Sequence, residues 1–272
     1  MTKTKQIVLI TGATGGLGNA IAQHLDKNRY KIYGTGRKST ENQYYIPVLL
    51  DLTKPKSIKE AVDFVIEKEG KIDVLINNAG IGITGSIEET SIDDMRKVFE
   101  VNFFGMIQII QEVLPYMRKQ KSGKIINISS IAGYTGLPYR GIYSATKSAV
   151  MRMTEALSAE LKSFGITVVE VAPGDFQTKI AEGRLYTKLD ENSPYFNDYK
   201  RILKMIDEEV EAGLKPKVLG KKIDKILKKK NPKLTYNIGI FMQKLAPFLA
   251  TCLPGRFFEK LIVKHYEGKG KL

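Results

Sequence analysis

Tyr143 and Lys147 stand four residues apart in Tyr-Ser-Ala-Thr-Lys, thirteen residues after Ser130. On a helix that spacing puts both side chains on one face, with the ammonium near the phenol. A phenol titrates near pH ~10 in water and exchanges protons poorly at neutrality. A positive charge at about 5 Å, in an effective dielectric of about 20, favours the phenolate by roughly 3 kcal/mol, or about two pKa units. The expectation is a tyrosine made into a usable acid/base. Ser130 closes an apolar strand, where its hydroxyl can donate to a carbonyl oxygen while Tyr143 moves the proton. Ser129 is equally hydroxylic, and on these grounds alone the two stay undivided. Asn102, in Glu-Val-Asn-Phe-Phe, is a poor helix former in a helical stretch; a local kink there could free a carbonyl to hold a water, the alternative being a solvent-facing side chain.

A second constellation lies upstream. Thr11-Gly-Ala-Thr-Gly-Gly-Leu-Gly18 follows an apolar strand and opens a helix. Without side chains at Gly12, Gly16 and Gly18 the backbone can approach a pyrophosphate, and the helix amino end offers free N–H donors. The next strand ends Gly36-Arg37-Lys38, with glycine where an NAD site usually carries an acid. A guanidinium there can clasp a 2′-phosphate, so NADP is expected over NAD. Asp51 closes the third strand, either accepting from an adenine amino group or capping the following helix. Asn77-Asn78-Ala79-Gly80 closes the fourth, with amides to fix the backbone around a ribose.

These groups need elements to hold them. Strands are predicted at Gln6–Thr11, Lys31–Thr35, Ile46–Asp51, Val74–Asn77, Lys124–Ser129 and Thr167–Ala172. Helices are predicted at Leu17–Lys27, Ser57–Glu69, Ile92–Lys121, interrupted near Asn102, and Gly141–Ser163. The alternation, with nearly continuous apolar strands, argues for a parallel sheet covered on both faces. Residues 1–174 form the expected dinucleotide-binding core and residues 175–215 a substrate lid. Residues 216–272 form a basic and hydrophobic extension. From Tyr236 to Tyr266, apolar residues Ile238, Phe241, Leu245, Phe248, Leu249 and Cys252 recur at helical spacing. They read either as packing on the core or a sister subunit, or as cover for an apolar substrate or contact with a membrane surface.

Composition narrows the classes. With 272 residues and 43% hydrophobic content the chain can bury one large core. Net charge is +14, and nine lysines fall between Lys215 and Lys233 against one acid, Asp224. That run reads as a solvated face, an anionic-lipid contact or a dock for an acidic carrier; without interleaved arginine or aromatics it does not suit nucleic acid. A lone Cys252 forms no internal disulfide, and with neither signal core nor membrane span a cytoplasmic location is expected. His24 and His265 lie far apart, so no metal is expected.

Taken together, the Thr11–Gly18 turn, Asp51, Asn77–Gly80 and the tetrad Asn102, Ser130, Tyr143 and Lys147 resemble the short-chain dehydrogenase/reductase family over about residues 5 to 180. Phe176 and the tail are similar to its hydroxysteroid- and retinol-dehydrogenase-like branches. The resemblance implies an α/β fold, a Rossmann-type doubly wound parallel sheet in a single domain with a C-terminal helical extension. It implies Tyr143 as general acid/base, and Lys147 lowering its pKa and holding the nicotinamide ribose. Ser130 would polarise the carbonyl, and Asn102 would anchor a relay water. Cofactor contacts are implied at Gly12, Thr14, Gly16, Leu17, Gly18, Arg37, Asp51, Leu52, Asn78, Ala79, Gly80, Tyr143, Lys147, Pro173, Gly174, Phe176 and Thr178. A homodimer or homotetramer through the two long helices is implied too.

The expected function is an NADP-dependent oxidoreductase interconverting a hydrophobic ketone or aldehyde and its alcohol. Two alternatives stay beside it. One is a ketoacyl reductase on carrier-bound substrates, docked by the lysine run. The other is a regulator that binds NADP without turnover.

Overall fold

The computed structural model describes residues 4–38, 41–178, 183–188 and 190–267. Positions 179–182 and 189 of the expected lid, and both chain ends, lie outside them. In chain order the strands are β1 (Gln6–Ile10), β2 (Tyr30–Gly36), β3 (Ile46–Leu49), β4 (Val74–Asn77), β5 (Ile83–Thr84), β6 (Gly123–Ile128), β7 (Ile166–Pro173), β8 (Leu185–Tyr186) and β9 (Thr235–Ile238). Seven of them make one sheet in the order β3-β2-β1-β4-β6-β7-β9, every neighbouring pair parallel. Strands β5 and β8 pair separately.

Adjacent residues of the central strands alternate between two buried layers, as the pleat requires. Leu9, Leu75, Ile125 and Val168 face one layer, with Val62, Ile109 and Val150 packed on them. Val8, Ile76, Ile126 and Val169 face the other, against Ile21 and Ile223. The first layer is built by α2 (Pro55–Glu69), α4 (Gly105–Gln120) and α5 (Gly141–Leu161). The second is built by α1 (Gly16–His24) and α7 (Lys217–Leu227). Helices α3 (Ile92–Phe99), α6 (Phe196–Glu211), α8 (Phe241–Cys252) and α9 (Gly255–Glu267) complete the described chain. This is the doubly wound α/β architecture. Chain direction across the sheet reverses between β1 and β4, which opens a crevice at the strands' carboxyl ends.

Two details differ from or sharpen the sequence reading. Ile238 begins no helix; it ends β9, which completes the sheet with Thr235 opposite Glu170 and Ile238 opposite Pro173. A strand of four residues after a lysine run gives little periodicity, and Ile238 also sits at helical spacing from Phe241. Pairing with β7 decides the matter. The buried Glu170 carboxylate secures the edge by accepting from the hydroxyls of Ser129 (2.7 Å) and Thr235 (3.2 Å). The interruption near Asn102 takes the form of a single π-helical stretch, Glu100–Phe104, between α3 and α4.

The lysine run divides between helix and loop. Helix α7 buries Leu219, Ile223, Ile226 and Leu227, leaving its lysines outward, and Lys228 pairs with Asp224 (2.7 Å) and Asp26 (3.6 Å). Among the described residues no helix is long and apolar enough to cross a membrane.

Candidate active site

Strand ends β1, β4, β6 and β7 bring the chemistry together. Thr11, at the end of β1, accepts through its hydroxyl from the backbone N–H groups of Asn78 and Ala79, both at 3.0 Å. The Asn78 amide donates to the carbonyls of Thr11 (3.0 Å) and Gly12 (3.1 Å). Turn and strand end are thereby one rigid unit. Gly12 has φ +66, and a Cβ there would meet the Ala79 Cα at 2.8 Å, so only glycine fits. One layer deeper the Asn77 amide donates to Asn127 (2.8 Å), whose own amide donates to Thr154 of α5 (2.9 Å).

Asn102 is fully buried, which removes the solvent-facing alternative. Its amide accepts from the Ile81 N–H (2.8 Å) and donates to the Ile81 carbonyl (2.9 Å) and the Thr146 hydroxyl (3.3 Å). The loop after β4 and the face of α5 are fixed against each other. Gly80 lies in this nook: a Cβ there would stand 3.2 Å from the Asn102 oxygen and 3.5 Å from the Lys147 Nζ.

Lys147 is buried on α5 and donates to the Ile128 carbonyl at 3.1 Å. Its Nζ stands 5.7 Å from the centre of the Tyr143 ring. Burial pulls the ammonium down from its ordinary 10.5 to about 8. Burial likewise pushes the Tyr143 phenol up, against a hydrogen bond with Ser130 and the charge of Arg140, which pull it down. The phenol acidified by its lysine is therefore not found in the chain itself. Attraction between the charges is outweighed by the cost of desolvating both groups in the interior.

The structure divides the two serines. Ser129 turns its hydroxyl to Glu170, whereas Ser130 accepts from the Ala132 N–H (3.1 Å) and faces Tyr143. Both tetrad hydroxyls and Lys147 border one cleft of about 850 Å³, open solvent at its mouth included. Leu17, Asn78, Gly80, Pro173, Gly174, Phe176 and Thr178 also line it. Thr178 lies against the Gly16 turn, 3.1 Å from where a Cβ would be. The Phe176 ring packs into the core, so its bulk does not fill the cleft.

The remaining expected contacts extend from the cleft along the sheet edge. Thr14 and Gly16 are exposed beside Gly18, and α1 begins with neither a side-chain cap nor an acid in its first turn. That amino end keeps its donors free for an anion. Gly36 packs on Thr14, and Arg37 follows it, exposed. Asp51 accepts from the Thr53 N–H (3.0 Å) and hydroxyl (2.8 Å), a local turn rather than a cap on α2. Burial acts to raise its carboxyl, yet those bonds and the charges of Lys54 and Arg37 hold it below the usual range. Leu52 packs its side chain in the core. An uncapped helix end, a glycine cradle and a cation after β2 fit a phosphorylated dinucleotide. Among the described residues no cluster of acids, histidines or cysteines is placed to hold a metal.

Several cleft residues escaped the sequence reading: Ile81, Ile83, Arg140, Asp175, Arg184 and Val210. Only Arg140 carried a local signal, three residues before Tyr143 and so on the same helical face.

Known proteins share this fold. The family model described as short chain dehydrogenase matches residues 6–188, and the chain belongs to that family. It is an oxidoreductase acting on carbonyl and alcohol groups. It is 42% identical over 256 residues to a 3-ketodihydrosphingosine reductase of Bacteroides thetaiotaomicron, covering 93% of this chain and 95% of that protein. A short-chain dehydrogenase structure from Streptomyces avermitilis superposes with TM-score 0.80 at 27% identity, covering 99% of this chain and 100% of the other. A structure of ElxO with NADP bound gives TM-score 0.70 at 27% identity, covering 86% of this chain and 96% of the other.

The buried ammonium makes a testable demand. The folded chain releases the Lys147 proton near pH 8 and the unfolded chain near 10.5. Stability relative to Lys147→Met should therefore rise as pH climbs through that window, by about 3 kcal/mol in all. Denaturant unfolding of the purified chain at pH 7 and pH 10 checks this, and a difference that ignores pH refutes it.

Proposed function

We propose that the chain uses NADPH to reduce a ketone carried on a long apolar substituent. The observation that carries this reading is the convergence of Ser130, Tyr143 and Lys147 in one cleft walled by Ile81, Ile83 and Val210. The likeness to a protein named for 3-ketodihydrosphingosine supports a ketone borne on a long alkyl chain.

The turn at Gly12, Thr14, Gly16, Leu17 and Gly18 would hold the pyrophosphate. Arg37 would hold the 2′-phosphate, and Asp51 with Leu52 the adenine. Asn78, Ala79 and Gly80 would border the adenosine ribose, Lys147 the nicotinamide ribose, and Pro173, Gly174, Phe176 and Thr178 the carboxamide end. The likeness to ElxO with NADP bound supports the phosphorylated form. Bound there, the nicotinamide supplies a hydride to the carbonyl carbon. Ser130 donates to the carbonyl oxygen, and Tyr143 gives its proton to the same atom as charge develops. A poorly solvated ammonium at 5.7 Å gains most when that phenol becomes phenolate, so the pair favours the transition state over the resting site. Asn102 keeps α5 and the Ile81 loop in register and anchors the proton relay beneath them. Self-association through α4 and α5 belongs to the same reading. None of the nine lysines of the run lines the cleft.

A second surface is part of the proposal. Phe241, Met242 and Phe248 of α8 are 72%, 62% and 62% exposed, and α8 contains no acid. On a chain of net charge +14 this edge suits the surface of an anionic bilayer, from which an alkyl ketone could be drawn.

Three outcomes are expected. Tyr143→Phe should lower kcat for NADPH-dependent ketone reduction by roughly a hundredfold or more; undiminished turnover would refute the acid. Arg37→Glu should raise KM for NADPH about tenfold or more while sparing NADH, read from initial rates with each coenzyme. Wild type should float with anionic but not zwitterionic vesicles, and the double variant Phe241→Ser, Phe248→Ser should stay in the soluble fraction.

A further inference from the structure

Besides Arg184, the cleft holds two ionisable side chains that the reduction itself does not use. Arg140 precedes α5, one helical turn before Tyr143, so it shares the face that carries the phenol. Its position is set by strain and stacking. Tyr139 adopts a left-handed φ of 57, rare for a side-chain-bearing residue, and its ring stacks on Tyr199 at 5.4 Å. The guanidinium donates through Nη2 to the Tyr266 hydroxyl at 3.0 Å. Its Nε is buried without a partner among the described residues. A buried donor left unmet is costly and therefore uncommon in a native chain.

Asp175 faces the same cleft just after β7 and is the one carboxylate among the lining residues described. Gln243 of α8 holds it, donating to Oδ2 while its own oxygen accepts from the Asp175 N–H (3.3 Å). The clamp needs two glycines. A Cβ on Gly174 would meet the Gln243 oxygen at 2.1 Å, and one on Gly239 at 2.7 Å. Burial lifts the Asp175 carboxyl above the ordinary range, with the Arg140 charge only partly opposing it. The other cations of the cleft are engaged: Arg184 pairs with Asp207 at 2.9 Å, and Lys147 bonds the Ile128 carbonyl.

What remains is one donor and one anion, both rigidly held beside the proton-transfer residues. We infer that Arg140 and Asp175 form a headgroup subsite for an amphiphilic ketone. Asp175 takes an ammonium on the carbon next to the carbonyl, and the Arg140 Nε donates to a neighbouring hydroxyl. A ligand with only an alkyl chain would leave the Arg140 Nε unmet and the Asp175 charge desolvated with Gln243 as its direct partner, whereas this head answers each in kind. The inference rests on the ketone reductase reading above and adds the chemical class of the substrate's polar end.

Steady-state kinetics at pH 7 with three ketones of equal chain length test it. The first is a 2-amino-1-hydroxy-3-ketone, the second its N-acetyl derivative, and the third a ketone lacking both substituents. Wild type should prefer the first. Asp175→Asn should cut the kcat/KM ratio of the first to the third ketone by about tenfold to a hundredfold, mainly through KM, and should move the ratio of the second to the third little. Arg140→Lys, which keeps the charge but removes Nε, should lower the preference for both hydroxyl-bearing ketones. Should Arg140→Lys fail to fold, as circular dichroism would reveal, the Asp175 variant decides alone. If Asp175→Asn lowers turnover of all three equally, the subsite is wrong and the reductase reading stands. If wild type reduces none of the three, both fall.

Discussion

An ammonium buried beside a phenol is the constraint around which this site is organised. Lys147 donates to one backbone carbonyl, and burial has pulled its pKa down to about 8. Such a group survives in a fold only where surrounding structure holds it firmly. Here Asn102 ties the loop after β4 to α5, and the Asn77–Asn127–Thr154 chain ties two strands to the same helix. Gly80 leaves the space the ammonium needs. Under the proposed function, the cost sits in the resting protein and is relieved as the neighbouring phenol gives up its proton.

The sheet supplies position rather than chemistry. The glycine turn, Asn78–Gly80, Ser130, Tyr143 and Pro173–Gly174 all belong to a carboxyl end of a strand or to the segment that follows it. Parallel pairing aligns those ends, so the glycine turn after β1 and Tyr143 after β6 come to one edge although some 130 residues separate them. The last strand, β9, then returns the chain to that edge, which lets α8 reach Asp175 through Gln243. An exposed apolar helix and the cleft are thereby in direct mechanical contact. Under the proposed function, that contact couples the substrate cleft to the exposed apolar edge.

Much of this was legible in the residues themselves. The glycine turn, the strand–helix alternation and the spacing of Tyr143 and Lys147 are local patterns, and local patterns survive in a linear string. The kink at Asn102 was readable for the same reason, since a poor helix former between apolar neighbours has few uses. By contrast β9 was hidden, because four residues of mixed character become a strand only when β7 offers its open edge. Ser129 and Ser130 were chemically equal until Glu170, forty residues on, claimed one of them.

The sequence by itself therefore determined the class of fold, the glycine turn and the pairing of Tyr143 with Lys147 on one helix, because each depends on neighbours within a few turns of chain. Tertiary structure alone decided the protonation balance of Tyr143 and Lys147, and it brought Arg140, Asp175 and Gln243 to one cleft. Those properties depend on desolvation and on contacts between distant segments. No spacing along the chain encodes how much water a folded interior leaves around a charge.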